Sequence, residues 1–164
     1  MAGPRRLVPP DARRGGLVLL GDPEEAAGEM DERARAFAED GYETLMLLEG
    51  EALETAIERL DPPCFAAGWG KGATRLWLAA LQSESLAAAS CHDPTALPWR
   101  PPQAPLRPLV LHLPRERAAL VAAIAEALPD LPVHLYEKGA DAERLARLRD
   151  LRLFALNGGG RGEI

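Results

Sequence analysis

Cysteine is nearly absent from this chain of 164 residues. The two that occur, Cys64 and Cys91, lie inside apolar runs and at no metal-ligand spacing, so neither a disulfide framework nor a metal site is expected. A reducing, cytoplasmic setting fits that usage best. Aromatic residues are also scarce, at 5%, which leaves core volume to Leu, Val and a few large side chains. Basic charge falls short as well: 19 Lys and Arg against 25 Asp and Glu give a net charge of −6. Such a surface repels nucleic acid and anionic membranes, so neither is an expected partner. Long hydrophobic runs are missing, because Leu17 to Leu20 is far too short to span a bilayer. Arg5-Arg6 is followed by Pro9-Pro10, Asp11 and Arg13-Arg14 where the apolar core of a secretion signal would stand.

What is present is an alternation. The length suits one domain with a real core. Met1 to Gly16, rich in Arg, Pro and Gly, reads as a flexible arm, and residues 17–156 as the folded domain. Asn157 onward, with Gly158-Gly159-Gly160, reads as a flexible tail to Ile164. Leu17-Val18-Leu19-Leu20 is a strand buried on both faces, stopped by Gly21-Asp22-Pro23. Ala27, Met30, Ala34 and Phe37 then recur at helical spacing up to Gly41. Thr44 to Leu48 is the next strand, and Leu53, Ile57 and Leu60 mark a helix that Asp61-Pro62-Pro63 ends. Cys64 to Ala67 is a strand running into Gly68-Trp69-Gly70-Lys71-Gly72, and a helix follows from Ala73. Leu86 to Ser90 is read as a strand from its position, and the proline-rich stretch from Asp93 to Pro108 as a long surface loop. Leu109 to Leu113 is a strand, Glu116 to Leu128 a helix, Val133 to Tyr136 the last strand and Asp141 to Ala155 the last helix.

Strands alternating with helices predict a doubly wound α/β fold with a mostly parallel sheet. In such sheets ligands bind beyond the carboxyl ends of the strands. The candidate pocket residues are therefore Gly21, Asp22, Trp69, Gly70, Lys71, Cys91 and His92. Cys91-His92-Asp93 offers thiol, imidazole and carboxylate at one strand end, although neighbours on an extended chain point to opposite faces. His112 and His134 lie inside strands and read as hydrogen-bonded sheet residues. The glycines from Gly68 to Gly72, with Lys71, could accept a phosphate at the helix start. The phosphate-loop motif itself is missing, because it would need glycine at Phe65.

With this order laid out, the chain resembles the dienelactone hydrolase family of the α/β-hydrolase fold over roughly Leu17 to Asp141. The first strand with Gly21, the helix end Phe37-Ala38-Glu39-Asp40-Gly41-Tyr42 and the turn Gly68-Trp69-Gly70-Lys71-Gly72 carry the resemblance. Leu109 to His112 and Val133 to Tyr136 are similar to the strands that lead to the acidic and histidine members of the triad. The resemblance implies a compact hydrolase-like domain and puts the nucleophile on Gly70, the acid near Arg117 and the histidine near Asp141. No triad member is retained. The expected function is a non-catalytic protein holding a small molecule or a protein partner, itself a monomer or weak oligomer and needing no cofactor. Two other readings stand beside it: an ester or lactone hydrolase rebuilt around Cys91, His92 and Asp93, and a phosphate or nucleotide module built on the glycine turn.

Overall fold

The computed structural model describes residues 6–10, 13–23, 27–47, 50–81, 83, 85–95, 109–131 and 133–136. Its strands are β1 (Arg6–Leu7), β2 (Gly15–Leu20), β3 (Tyr42–Met46), β4 (Cys64–Trp69), β5 (Ala88–His92), β6 (Leu109–Pro114) and β7 (Val133–Tyr136). The helices are α1 (Ala27–Glu39), α2 (Leu53–Glu58), α3 (Lys71–Ala80) and α4 (Ala118–Ala127). One sheet holds the strands in the order β1-β3-β2-β4-β5-β6-β7. Every pairing is parallel except that of β1 with β3. Every residue of β2, β4 and β6 is buried, as two covered faces require. Side chains alternate between two cores. Leu17, Leu19, Phe65, Ala67 and Trp69 pack with Ala34 and Phe37 of α1, while Val18, Leu20, Ala66 and Cys91 pack with Ala56 and Ile57 of α2, Leu76 and Trp77 of α3, and Ile124 of α4.

The chain leaves β2 for β3 on one side and returns to β4 on the other. The direction of winding therefore reverses between β2 and β4. Their carboxyl ends form the crevice where doubly wound folds hold ligands, and Gly21-Asp22 and Gly70-Lys71 are the residues found there.

The expected arm through Gly16 is corrected. Arg6-Leu7 forms the edge strand β1, and Gly15 and Gly16 open β2, where Gly16 N–H donates to the Pro63 carbonyl at 2.9 Å. The cause is Glu43, a buried carboxylate on β3 that needs partners. Arg6 Nε donates to it at 2.6 Å and Arg13 Nε at 3.1 Å, and Arg13 Nη2 also donates to the Asp61 carbonyl at 2.6 Å. Smaller differences are shifts of boundary: β5 begins at Ala88 instead of Leu86, and α4 at Ala118 instead of Glu116. The last helix, the tail and most of the proline-rich stretch lie outside the described residues.

Burial alone would push the Glu43 carboxyl up, but the hydrogen bonds and charges of Arg6 and Arg13 outweigh it and hold the group below its ordinary value. A depressed carboxylate stabilises the fold above its unfolded value, near 4.3, and that stability is lost as pH falls through the folded value. Glu43→Gln is expected to cost about 1–2 kcal/mol at pH 7 and much less at pH 3. Urea denaturation at both pH values checks this, and an equal cost at both would show that the ion pairs contribute nothing.

Candidate functional site

The turn from β4 into α3 is made by Gly70, at φ 55° and ψ −120°. This is a conformation that residues with a Cβ rarely adopt. The sharp strand-to-helix turn expected from the sequence is therefore present. Gly70 N–H donates to the His92 carbonyl at 3.0 Å, and the Gly70 carbonyl receives Thr74 N–H at 3.2 Å. Gly72 lets α3 lie directly on β2: a Cβ there would stand 2.6 Å from the Leu20 carbonyl carbon. A Cβ on Gly70 would meet another obstacle, Asp22, whose Cγ would lie 2.7 Å away. The side chain of Asp22 thus stands where a residue at position 70 would project its own. A carboxylate at the start of α3 also suits the positive end of the helix dipole.

Beside this turn is a cleft of about 400 Å³. Leu19, Leu20, Met30, Met46 and Leu47 give it an apolar wall, with Pro23 at the edge. Gly21 and Gly72 bring backbone to its lining, and Asp22, Lys71 and Arg75 bring charge. The guanidinium of Arg75 donates to the Glu51 carbonyl, which ties it across to the segment before α2. Of the residues expected at the pocket, the structure brings Gly21, Asp22 and Lys71 into the cleft, beside Gly70.

Trp69, Cys91 and His92 do not line this cleft. All three are buried within the layers. Cys91 points toward α3, its Sγ donating to the Ala73 carbonyl at 3.5 Å. His92 points to the opposite face, where its ring stacks on Trp69 at 4.8 Å and on His112 at 4.3 Å. His92 Nε2 is 2.9 Å from Ser90 Oγ. Thiol and imidazole are therefore on opposite sides of the sheet, as strand alternation demands. Asp93 is engaged by the Arg117 guanidinium, which also donates to the Pro94 carbonyl at 2.6 Å. A cation thus stands at the position the resemblance gives to the triad acid. The position of the triad histidine, near Asp141, lies outside the described residues.

Burial also weighs against the cysteines as nucleophiles. It pushes the Cys91 thiol far above the ordinary range. Burial raises Cys64 too, partly offset by Arg13 and reinforced by Asp61 and Glu43, while its Sγ lies 3.6 Å from the Leu60 carbonyl. Both thiols stay protonated at neutral pH, and the thiolate is the reactive form. Native protein at pH 8 is expected to resist iodoacetamide at both positions, whereas urea-unfolded protein reacts fully. Intact-mass measurement checks this, and rapid native labelling of Cys91 would overturn it.

Met30, Met46, Leu47 and Arg75 were not singled out from the sequence as site residues. In the sequence Met30 belongs to the apolar stripe before Gly41, Met46 and Leu47 to an apolar strand, and Arg75 to the helix after the glycine turn. Only the crevice between β2 and β4 unites them.

As a sequence, the chain matches no family model and no curated protein. As a structure, it is similar to esterase 2 of Thermogutta terrifontis, solved as its tabun adduct, with a TM-score of 0.66, 13% identity, and 94% of this chain and 88% of that chain covered. It is similar to a protein described as a dienelactone hydrolase from Klebsiella pneumoniae, with a TM-score of 0.67, 12% identity and 88% of each chain covered. A third likeness is to a protein described as a thioesterase from a Silicibacter species, with a TM-score of 0.62, 12% identity, and 87% of this chain and 74% of that one covered. At these identities the likeness is one of fold. The chain has the α/β-hydrolase fold in its compact, dienelactone hydrolase-like form.

Proposed function

We propose that this protein is a hydrolase-fold chain without the hydrolytic triad, which holds a small molecule in the cleft beside Gly70. The observation that carries the reading is Gly70 with Asp22 in front of it: the turn that raises a nucleophile in this fold raises none, and the space for one is taken. Without nucleophile and base the acyl-enzyme route is closed, and what remains is binding by the cleft and by backbone donors such as Lys71 N–H and Asp22 N–H. The reading takes one domain through residue 156, extended at its start to include β1. A cytoplasmic setting accords with two free, buried cysteines. Among the described residues, no helix is long and apolar enough to cross a membrane.

The hydrolase alternative needs Cys91 and His92 to act together, and their opposite orientations weigh against it. The phosphate alternative needs the start of α3, beside which Asp22 stands. Hydrolysis of an activated ester and a small lactone by purified protein, with Cys91→Ala, His92→Ala and Asp22→Ala alongside, tests the proposal. The expected rate is that of a protein-free control. Turnover abolished by any of these substitutions would return the chain to the hydrolases.

A further inference from the structure

Sulfur is distributed unevenly over this fold. The chain has three methionines and two cysteines, and among the described residues thioethers and thiols have opposite surroundings. Cys64 and Cys91 are buried, and burial holds both thiols protonated. Met30 of α1 and Met46 at the end of β3 are only partly buried, and both line the cleft. A thioether has no proton to lose, so its reaction with an oxidant is governed by access. Access puts the two cleft methionines first and the thiols last. Met30 is also set apart by its seat: the three atoms nearest to a Cβ built on Gly21 would all be its own, Cε at 2.6 Å and Cγ and Sδ at 3.9 Å. The end of Met30 thus lies on the main chain just beyond β2, in space that only glycine leaves open. It joins α1 to the sheet at the edge of the cleft.

We propose that the cleft is a site of reversible oxidation, at which a peroxide converts Met30 and Met46 to sulfoxides. A lone pair on Sδ attacks one oxygen of hydrogen peroxide. An S–O bond forms, the O–O bond breaks, and the proton on the transferred oxygen passes to the leaving hydroxide, which departs as water. Sulfur loses two electrons and the peroxide gains two, so no further reactant is needed. The product is polar and chiral where the thioether was apolar and pliable. Two side chains of the apolar wall thereby acquire an oxygen that needs a hydrogen-bond donor, and Met30 loses its fit against Gly21. Oxidation therefore loosens α1 from the end of β2. It also weakens the hold of the cleft on an apolar molecule, a consequence that rests on the ligand-holding reading above.

The experiment treats full-length protein with hydrogen peroxide beside N-acetylmethionine amide as a reference, and peptide mass spectrometry follows each sulfur. Met30 and Met46 are expected to oxidise within about tenfold of the reference rate, as groups reached without unfolding do, while Cys64 and Cys91 remain thiols. Gly21→Ala, whose methyl displaces the end of Met30, should speed oxidation of Met30 severalfold and leave Met46 unchanged. The oxidised protein should melt about 4 °C lower and bind the neutral probe N-phenyl-1-naphthylamine about tenfold more weakly. Methionine sulfoxide reductases of both epimer specificities should reverse the two effects. Met30→Leu/Met46→Leu, which conserves volume, should abolish them.

Oxidation of Met30 and Met46 about a hundredfold slower than the reference, the mark of side chains reached only through opening of the fold, would overturn the proposal. So would an unchanged Met30 rate in Gly21→Ala, oxidised protein that melts like the reduced form, or a melting shift that persists in the double leucine variant. Failure of the reduced protein to bind the probe would instead count against the ligand-holding reading, while mass and melting temperature still decide the oxidation site, so the two failures are distinguishable.

Discussion

Gly72→Ala is expected to destabilise the protein by about 3 kcal/mol, and Asp22→Ala should not relieve that loss. The added methyl meets main chain, the carbonyl carbon of Leu20 at 2.6 Å and the carbonyl oxygen of Gly21 at 2.8 Å. Strand β2 is paired on both sides, so it cannot give way, and α3 must be lifted from the sheet instead. Gly70→Ala is expected to cost about 1–3 kcal/mol from backbone strain alone, plus the displacement of Asp22. That second part is relieved by Asp22→Ala, because the obstacle is a side chain. Urea denaturation of the three single and two double variants reads the contrast. Equal rescue of Gly70→Ala and Gly72→Ala, or of neither, would show that Asp22 does not occupy the space in front of Gly70.

Trp69→Ala is expected to cost about 3–5 kcal/mol. The indole is 1% exposed and lies in a layered stack. The Arg33 guanidinium sits 4.3 Å above one face of its ring system, and the His92 ring packs nearly parallel at 4.8 Å. The stack continues to His112, so the layers cross β4, β5 and β6 in the order that strand register sets. Removing the indole opens a cavity and takes the π face from a guanidinium that is itself 6% exposed. Trp69→Phe is expected to cost far less. It keeps a ring, and it removes an indole Nε1 that has no hydrogen-bond partner among the described residues. The same denaturation series carried into Arg33→Leu measures the coupling, expected at about 0.5–2 kcal/mol. A loss below about 1 kcal/mol for Trp69→Ala, the level of a surface substitution, would mean that the ring is not a core element.

These two residues are neighbours and were legible to different degrees. Gly72 was visible as one of three closely spaced glycines between a strand and a helix, and the turn follows from that spacing. Trp69 was visible only as an aromatic near the turn. Strand parity and the position of α1 put it in the core that α1 covers, together with Leu19 and Phe37. Cys91 and His92 illustrate the same limit. Their opposite orientation followed from alternation along a strand, but the partner of each, Ala73 for one and Trp69 with His112 for the other, depended on which strands became neighbours.

By itself the sequence determined the alternation of strands and helices, the glycine turn at Gly70 and the absence of a nucleophile there. Apolar periodicity and glycine spacing are local properties, readable over a few residues. The tertiary structure alone decided that Arg6-Leu7 forms an edge strand, because its reason is a carboxylate at Glu43, distant in the chain. It also decided the cleft. Met30, Met46, Lys71 and Arg75 come from three elements, and they meet only because the sheet reverses its winding between β2 and β4. Strand order is a long-range outcome of packing, and no local pattern encodes which residues it will bring face to face.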